Sequence, residues 1–266
     1  MIIASAALVS LLITGAYVQL ASRLDWGKSV RRDGPSGHLA KEGTPTMGGI
    51  AFLLAMALAF LASGGFTEGE LALLALVLAS AGLGLWDDIS ALQRKNRQAQ
   101  GEDPATGALA RYRILFQTVI AVAFAIYATN TGYALFDIQL LDIAVYAFVI
   151  VGSINALNFS DGLDGLAAGM SCIMLLLFSG SPLALALLGA LLGFLWYKAK
   201  PTRVFMGGVG SEALGAAIAG LAILADVTWY LPLIALVPVL EVLSVIIQVS
   251  WFRISGGQRI FRMSPL

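Results

Sequence analysis

The stretch IIASAALVSLLITGAYVQLA, from Ile2 to Ala21, carries no charge, and the first positive residue, Arg23, comes after it. A run of this length matches the roughly 20 apolar residues that cross a bilayer core as a helix. A cleaved secretory signal places its basic residues before the apolar run, not after it. The order here reads as a retained helix whose N-terminus lies outside, with the positive end inside.

The same grammar repeats along the chain. Further apolar runs begin near Met47, Leu71, Ile114, Leu141, Leu163, Leu183, Glu212 and Leu231. They end near Ala62, Trp86, Thr129, Leu157, Ser179, Tyr197, Ala225 and Trp251. With the first, these make about nine spans of roughly membrane length. The fold class expected is all-α, a polytopic integral membrane protein of about nine transmembrane helices. Composition agrees: 59% of residues are hydrophobic and only 12% charged, against about 25% charged in a soluble domain.

Charge placement tests this layout. With alternating helices, the inner loops are residues 23–46, 87–113, 156–163, 198–211 and 252–266. All 16 Lys and Arg fall in them. The outer connections keep only acids: Glu68, Glu70, Asp137, Asp142 and Asp226. The positive-inside rule holds without exception. Net charge is zero, so nothing in the balance points to nucleic acid. The single cysteine, Cys172, sits in an apolar run and excludes an internal disulfide.

The polar clusters lie almost entirely on the inner side. Asp87 and Asp88 close the third run. Asp161 and Asp164 lie in the string Asn155-Ala-Leu-Asn158-Phe-Ser-Asp161-Gly162-Leu163-Asp164-Gly165. If that string is helical, its i,i+3 acids share a face. Two carboxylates about 4 Å apart repel by about 4 kcal/mol at an effective dielectric of about 20. Converging pairs would therefore take up protons or share a hard cation, and Mg²⁺ is the one that also binds substrate phosphate. Lys41 to Gly49, with Thr46, and Val204 to Ser211, with Phe205, are Gly-rich helix entries of the kind that hold anions. Phe205 fits either packing or base stacking. His38, the only histidine, reads as a loop or headgroup contact. Glu241, Ser244 and Gln248 form one stripe of the last span, where a charge is expected to face protein or water. Ser211, Gly215 and Ala219 form a small-residue stripe suited to close helix packing. The basic and apolar end, Gly256 to Pro265, suits an anionic lipid surface.

Together these strings resemble the bacterial phospho-N-acetylmuramoyl-pentapeptide-transferases. The matching pieces are Lys41–Ile50, Trp86-Asp87-Asp88, Ala110–Gln117, Asn155–Gly169, Val204–Gly215, Glu241–Val249 and Gly257–Leu266. The Asn-x-x-Asn-x-x-Asp-Gly-x-Asp-Gly string is shared with the wider polyprenyl-phosphate sugar-1-phosphate transferases. The resemblance implies one transferase domain over residues 1–266, in the bacterial inner membrane, with its active site facing the cytoplasm. It implies transfer of phospho-N-acetylmuramoyl-pentapeptide from its UDP precursor to undecaprenyl phosphate, with Mg²⁺, in a homodimer. A related UDP-N-acetylhexosamine transferase, or a member that binds without turnover, is the alternative. By position, Asp87 would be the base, or the nucleophile of a covalent route. Asp88 would support the metal or diphosphate. Asn158, Asp161, Gly162, Leu163 and Asp164 would line the nucleotide and metal pocket, with Asp87, Asp88 and Asp161 as metal ligands. Lys41 and Thr46 would contact the nucleotide, Phe205 would stack on uracil, and Gln248 would border the cleft.

Three departures stand out. The family pattern Phe-Met-Gly-Asp-Val-Gly-Ser has its main Mg²⁺ ligand where this chain has Gly208. It usually has asparagine where this chain has Lys198. Family members continue past Pro-Leu with three histidines and a last helix, beyond Leu266. Glu212, one turn after Gly208, is the candidate substitute ligand.

Overall fold

A computed structural model describes residues 1–24, 26–27, 43–99, 107–262 and 264, without the side chains of 95–99 and 107–110. Its elements are helices, and no strand occurs among the described residues beyond a single antiparallel bridge from Gly27 to Pro45. In chain order they are α1 (Ile2–Arg23), α2 (Gly49–Ser63), α3 (Glu68–Ala99), α4 (Gly107–Asn130) and α5 (Gln139–Ser160). Then come α6 (Leu166–Leu176), α7 (Pro182–Lys198), α8 (Gly207–Leu224) and, after short turns at Thr228–Tyr230 and Leu231–Ile234, α9 (Leu236–Ile254). Among the described residues six helices are long and apolar enough to cross a membrane, and α2, α6 and α7 are shorter apolar helices. This is a multi-pass membrane protein, as the charge pattern requires.

Two expected boundaries shift for physical reasons. Helix α3 starts earlier than the apolar run, because Thr67 and Glu70 cap each other. The Thr67 backbone N–H donates to Glu70 Oε2 and the Glu70 N–H to Thr67 Oγ1, both at 3.2 Å. Helix α3 also continues past the membrane to Ala99. Asp87 and Asp88 therefore sit inside a continuous helix, not at its end.

Helix α8 is the axis of the bundle. Every residue from Gly208 to Ile223 is buried. Its small side chains let backbones meet directly. A Cβ placed on Gly84 of α3 would collide with the Gly208 carbonyl, and one on Gly49 of α2 with the Gly210 backbone. On the third side a Cβ on Gly215 would come within 2.5 Å of Ile154 Cα, on α5. The expected small-residue stripe on this helix is thus a true contact, and Ser153 seals it by donating to the Gly215 carbonyl at 2.8 Å. Lipid supplies no hydrophobic drive between helices, so such van der Waals contact is what holds them together.

The far end of the bundle is closed by acids. Glu70 is buried, and its Oε1 accepts from Ser181 Oγ at 2.7 Å and the Leu183 N–H at 3.4 Å, capping α7. Asp142 Oδ1 accepts from the N–H groups of Leu135 and Phe136 at 3.2 and 2.9 Å. The Gly84→Ala substitution is expected to lower thermal stability in detergent by about 1–3 kcal/mol through overpacking. Gly82→Ala, at a position where an added Cβ meets open space, should change it by less than about 0.5 kcal/mol. Equal melting temperatures for the two variants would contradict the backbone contact.

Candidate active site

At the end of the bundle that the charge pattern assigns to the inside, six helices bring polar residues together. Helix α3 contributes Asp87 and Asp88, α4 contributes Arg113 and Gln117, and α5 contributes Asn155 and Asn158. Helix α7 ends on Lys198, α8 begins with Gly207 and Gly208, and α9 contributes Glu241.

The first connection is a helix cap. Asp88 accepts from the Gly208 N–H at 3.0 Å with Oδ1 and from the Val209 N–H at 3.1 Å with Oδ2. An α8 start rich in glycine does hold an anion, as a helix N-terminus should. That anion is the protein's own carboxylate. Gly207, with φ of 77°, makes the turn, and a Cβ there would strike Asp88 Oδ2. The second Gly-rich entry is also filled from within. The N–H groups of Gly48 and Gly49 donate to the carbonyls of Phe205 and Met206 at 2.9 and 2.8 Å, and the Phe205 N–H donates to Pro45 at 2.7 Å. The expectation that the α2 start binds an anion through its backbone is thereby corrected at those two amides. Thr46 is buried, with its N–H on the Trp26 carbonyl at 3.0 Å and its own carbonyl accepting from Tyr17. Lys41 and His38 lie outside the described residues.

The second connection is a network around the half-buried Arg113, backed by the buried Gln117 and Glu212. Its Nη1 is 3.3 Å from Asp87 Oδ2, its Nη2 donates to Asn155 Oδ1 at 3.1 Å, and its Nε lies 3.7 Å from Glu212 Oε1. Gln117 bridges the same groups, donating to Glu212 Oε2 at 3.1 Å and accepting from Asn155 Nδ2 at 2.9 Å. Glu212 is fully buried and turned to α4. It serves as a counter-charge to Arg113, not as a ligand presented beside Gly208. The sequence reading counted Arg113 only as an inner-side charge and gave Gln117 no role of its own. Their i,i+4 spacing in an otherwise apolar span was the available signal.

The third connection is at the turn after α5. Helix α5 ends at Ser160, and residues 161–165 leave the helix, with Gly165 at φ of 75° starting α6. The expected i,i+3 helical face for Asp161 and Asp164 therefore does not form. Lys198 Nζ lies 2.8 Å from Asp161 Oδ1 and 5.2 Å over the Phe205 ring. Gly162 and Leu163 are exposed and Asp164 is half-buried. Asn158 donates to Ser211 at 3.0 Å, tying α5 to α8. Ser160 hydrogen-bonds Glu241, tying α5 to α9. Gln248 Oε1 accepts from the Ile260 and Phe261 N–H groups at 3.2 and 2.9 Å, folding the end of the chain back over α9. A pocket of about 360 Å³ there is lined by Gln248, Arg253, Arg259 and Arg262.

The Mg²⁺ that the resemblance implies does not find its ligand set. Asp87 faces Arg113, Asp161 faces Lys198, and Asp88 spends its oxygens on α8. Among the described residues no three potential ligands gather into a metal site.

Beside this polar end lies an apolar groove of about 440 Å³ between α5 and α9. Its walls include Phe148, Leu157, Pro232, Val239 and Ile246. It extends from the short turns at the far end toward the level of Asn158 and Gln248.

Comparison with known proteins fits this layout. The family model described as Glycosyl transferase family 4 matches residues 70–226, and a phospho-N-acetylmuramoyl-pentapeptide-transferase signature matches residues 41–53. A phospho-N-acetylmuramoyl-pentapeptide-transferase of Deinococcus radiodurans is 42% identical, covering 98% of this chain and 87% of that protein. Those of Heliobacterium modesticaldum and Deinococcus deserti are 40% and 44% identical, covering 100% and 98% of this chain and 86% and 87% of theirs. This chain belongs to the phospho-N-acetylmuramoyl-pentapeptide-transferase family. The matches run through the polar-end residues of α3, α5 and α8 and through the segment that begins at Lys41.

Removing Arg113 leaves Glu212 buried without its cation. Arg113→Ala is expected to destabilise the protein by about 1–3 kcal/mol, the cost of leaving a buried polar group short of a partner. Adding Glu212→Gln should recover much of that loss. Thermal unfolding of the single and double variants checks this, and an equal loss in both would show that Glu212 does not depend on Arg113.

Proposed function

We propose that this chain makes the lipid-linked muramoyl-pentapeptide precursor of peptidoglycan. An oxygen of undecaprenyl phosphate attacks the sugar-bearing phosphorus of UDP-N-acetylmuramoyl-pentapeptide. A new phosphoanhydride forms, the old one breaks, and UMP leaves with the electron pair of the broken bond. The observation that carries this reading is a juxtaposition: a one-sided polar site abuts an apolar groove in the membrane-level wall. One reactant is a lipid phosphate and the other a soluble nucleotide, so their phosphates can meet only at such a boundary. The polyprenyl tail would lie along α5 and α9, and the site would face the cytoplasm at the inner membrane. The likeness to phospho-N-acetylmuramoyl-pentapeptide-transferases favours transfer of this group over a UDP-N-acetylhexosamine substrate.

Phosphoryl transfer needs positioning and charge stabilisation more than covalent help from the protein. Arg113 and Lys198 supply fixed positive charge at the inner end. Asp87, held by Arg113, suits orientation of the lipid phosphate through the arginine fork. Asn158 and Asp164, on and after α5, would orient the nucleotide. Phe205 would take the uracil face once a base competes for the ring that now covers Lys198.

The test is UMP release by the purified chain in detergent with both substrates. Asp87→Asn and Asp164→Asn should each lower the rate by about 100-fold or more, the scale of lost electrostatic positioning. Asp226→Asn, at the opposite end of the bundle, should leave it unchanged. Rates near wild type in the first two would remove those residues from the site.

A further inference from the structure

Lys198 is fully buried at the last turn of α7. An ammonium taken out of water is retained only when it is paired. Here Asp161 provides the pair at 2.8 Å, and the Phe205 ring face lies 5.2 Å away. Thr202 closes the backbone below by donating to the Lys198 carbonyl at 2.9 Å. The lysine thus occupies the place beside Asp161 where a cation shared among the acids was expected. The neighbouring acids are held as well: Asp88 by the α8 amides and Asp87 by Arg113.

The two departures from the family pattern now read as a pair. Gly208 in place of aspartate removes one negative charge, and Lys198 in place of asparagine adds one positive charge. Both make the site more positive, and together they match the charge of one divalent ion. Phe205, whose ring covers Lys198, lies three residues before Gly208 in the chain.

We infer that the Lys198 ammonium is a built-in replacement for the divalent cation, so that this chain binds its nucleotide diphosphate without metal. The inference rests on the nucleotide-binding reading of the site. A lysine suits the role, being a compact point charge on a flexible stem, closer to a metal ion than a planar guanidinium is. A purely structural lysine, pinning α7 to the 161–165 turn, would leave nucleotide binding dependent on metal.

Calorimetric titration of the whole chain in detergent with UDP separates these cases, once in excess EDTA and once in millimolar Mg²⁺. The wild type is expected to bind UDP with affinities that agree within about twofold in the two buffers. Lys198→Met should weaken binding by about tenfold or more in both, the size of a lost charged hydrogen bond. Lys198→Asn combined with Gly208→Asp should bind UDP in Mg²⁺ and lose it in EDTA. Manganese paramagnetic resonance gives an independent readout, with bound Mn²⁺ in that double variant and none in the wild type. Wild-type UDP binding that collapses in EDTA would overturn the inference and leave the nucleotide reading standing. No UDP binding in either buffer, by a chain that melts normally, would overturn the nucleotide reading and the inference with it.

Discussion

The architecture depends on how closely α8 lets its neighbours approach. In a bilayer, apolar helices gain little by leaving lipid for each other, so contact must come from close packing. Glycine on both sides of a crossing removes the side-chain layer that normally separates helix axes. Gly208 against Gly84 and Gly210 against Gly49 bring α3 and α2 onto α8, and Gly215 brings α5. Because these crossings cluster toward one end of α8, they also set the site. Asp87 and Asp88 lie within a turn of Gly84, and Asn158 lies one turn from Ile154. A wider crossing would carry the Asp88 carboxylate out of reach of the α8 amides that it caps.

Polar contacts then fix what packing brings together. Most join different helices: Asp88 of α3 to α8, Asp87 of α3 to Arg113 of α4, and Asn158 of α5 to Ser211 of α8. Ser160 of α5 meets Glu241 of α9 in the same way. In low dielectric each of these is costly to leave unmade. The geometry of the inner end is therefore a property of the whole bundle and not of any one motif. The apolar groove belongs to the same arrangement, lined by α5 and α9, which Ser160 and Glu241 tie together.

The sequence made the spans legible because bilayer thickness sets a length and the positive-inside rule sets a side. Those two constraints are local and additive, and they gather the polar clusters on one side. What they could not show is which polar group meets which. The Asp88 cap joins residues far apart in the chain, and nothing near Asp88 names its partner. The Gly-rich entries at Gly48 and Gly207 were recognisable as anion sites by chemistry, yet the groups that fill them come from Phe205, Met206 and Asp88. The string from Asn155 to Gly165 was recognisable as a site, but its helix stops at Ser160, where Gly162 and Gly165 favour a turn over a continued face. Glu212 was visible as an unusual charge in a span, and only the packing shows that it answers Arg113.

Pairing across helices also limits how such a site can vary. A carboxylate removed alone would leave a buried arginine or lysine uncompensated, and a lysine added alone would have no partner. Either change by itself costs several kcal/mol in a desolvated setting, about the scale of a broken buried ion pair. Substitutions that survive should therefore come in sets that restore the local balance. Gly208, Lys198 and Glu212 have the form of such a set. Gly208 leaves the α8 start open to Asp88, Lys198 settles on Asp161, and Glu212 balances Arg113 one turn deeper. The backbone contact at Gly84 gains from the small residue at 208, where an added Cβ would lie 3.2 Å from the Gly84 carbonyl oxygen. Under the proposed function, a set of this kind would keep the frame of the site while changing what neutralises the two phosphates.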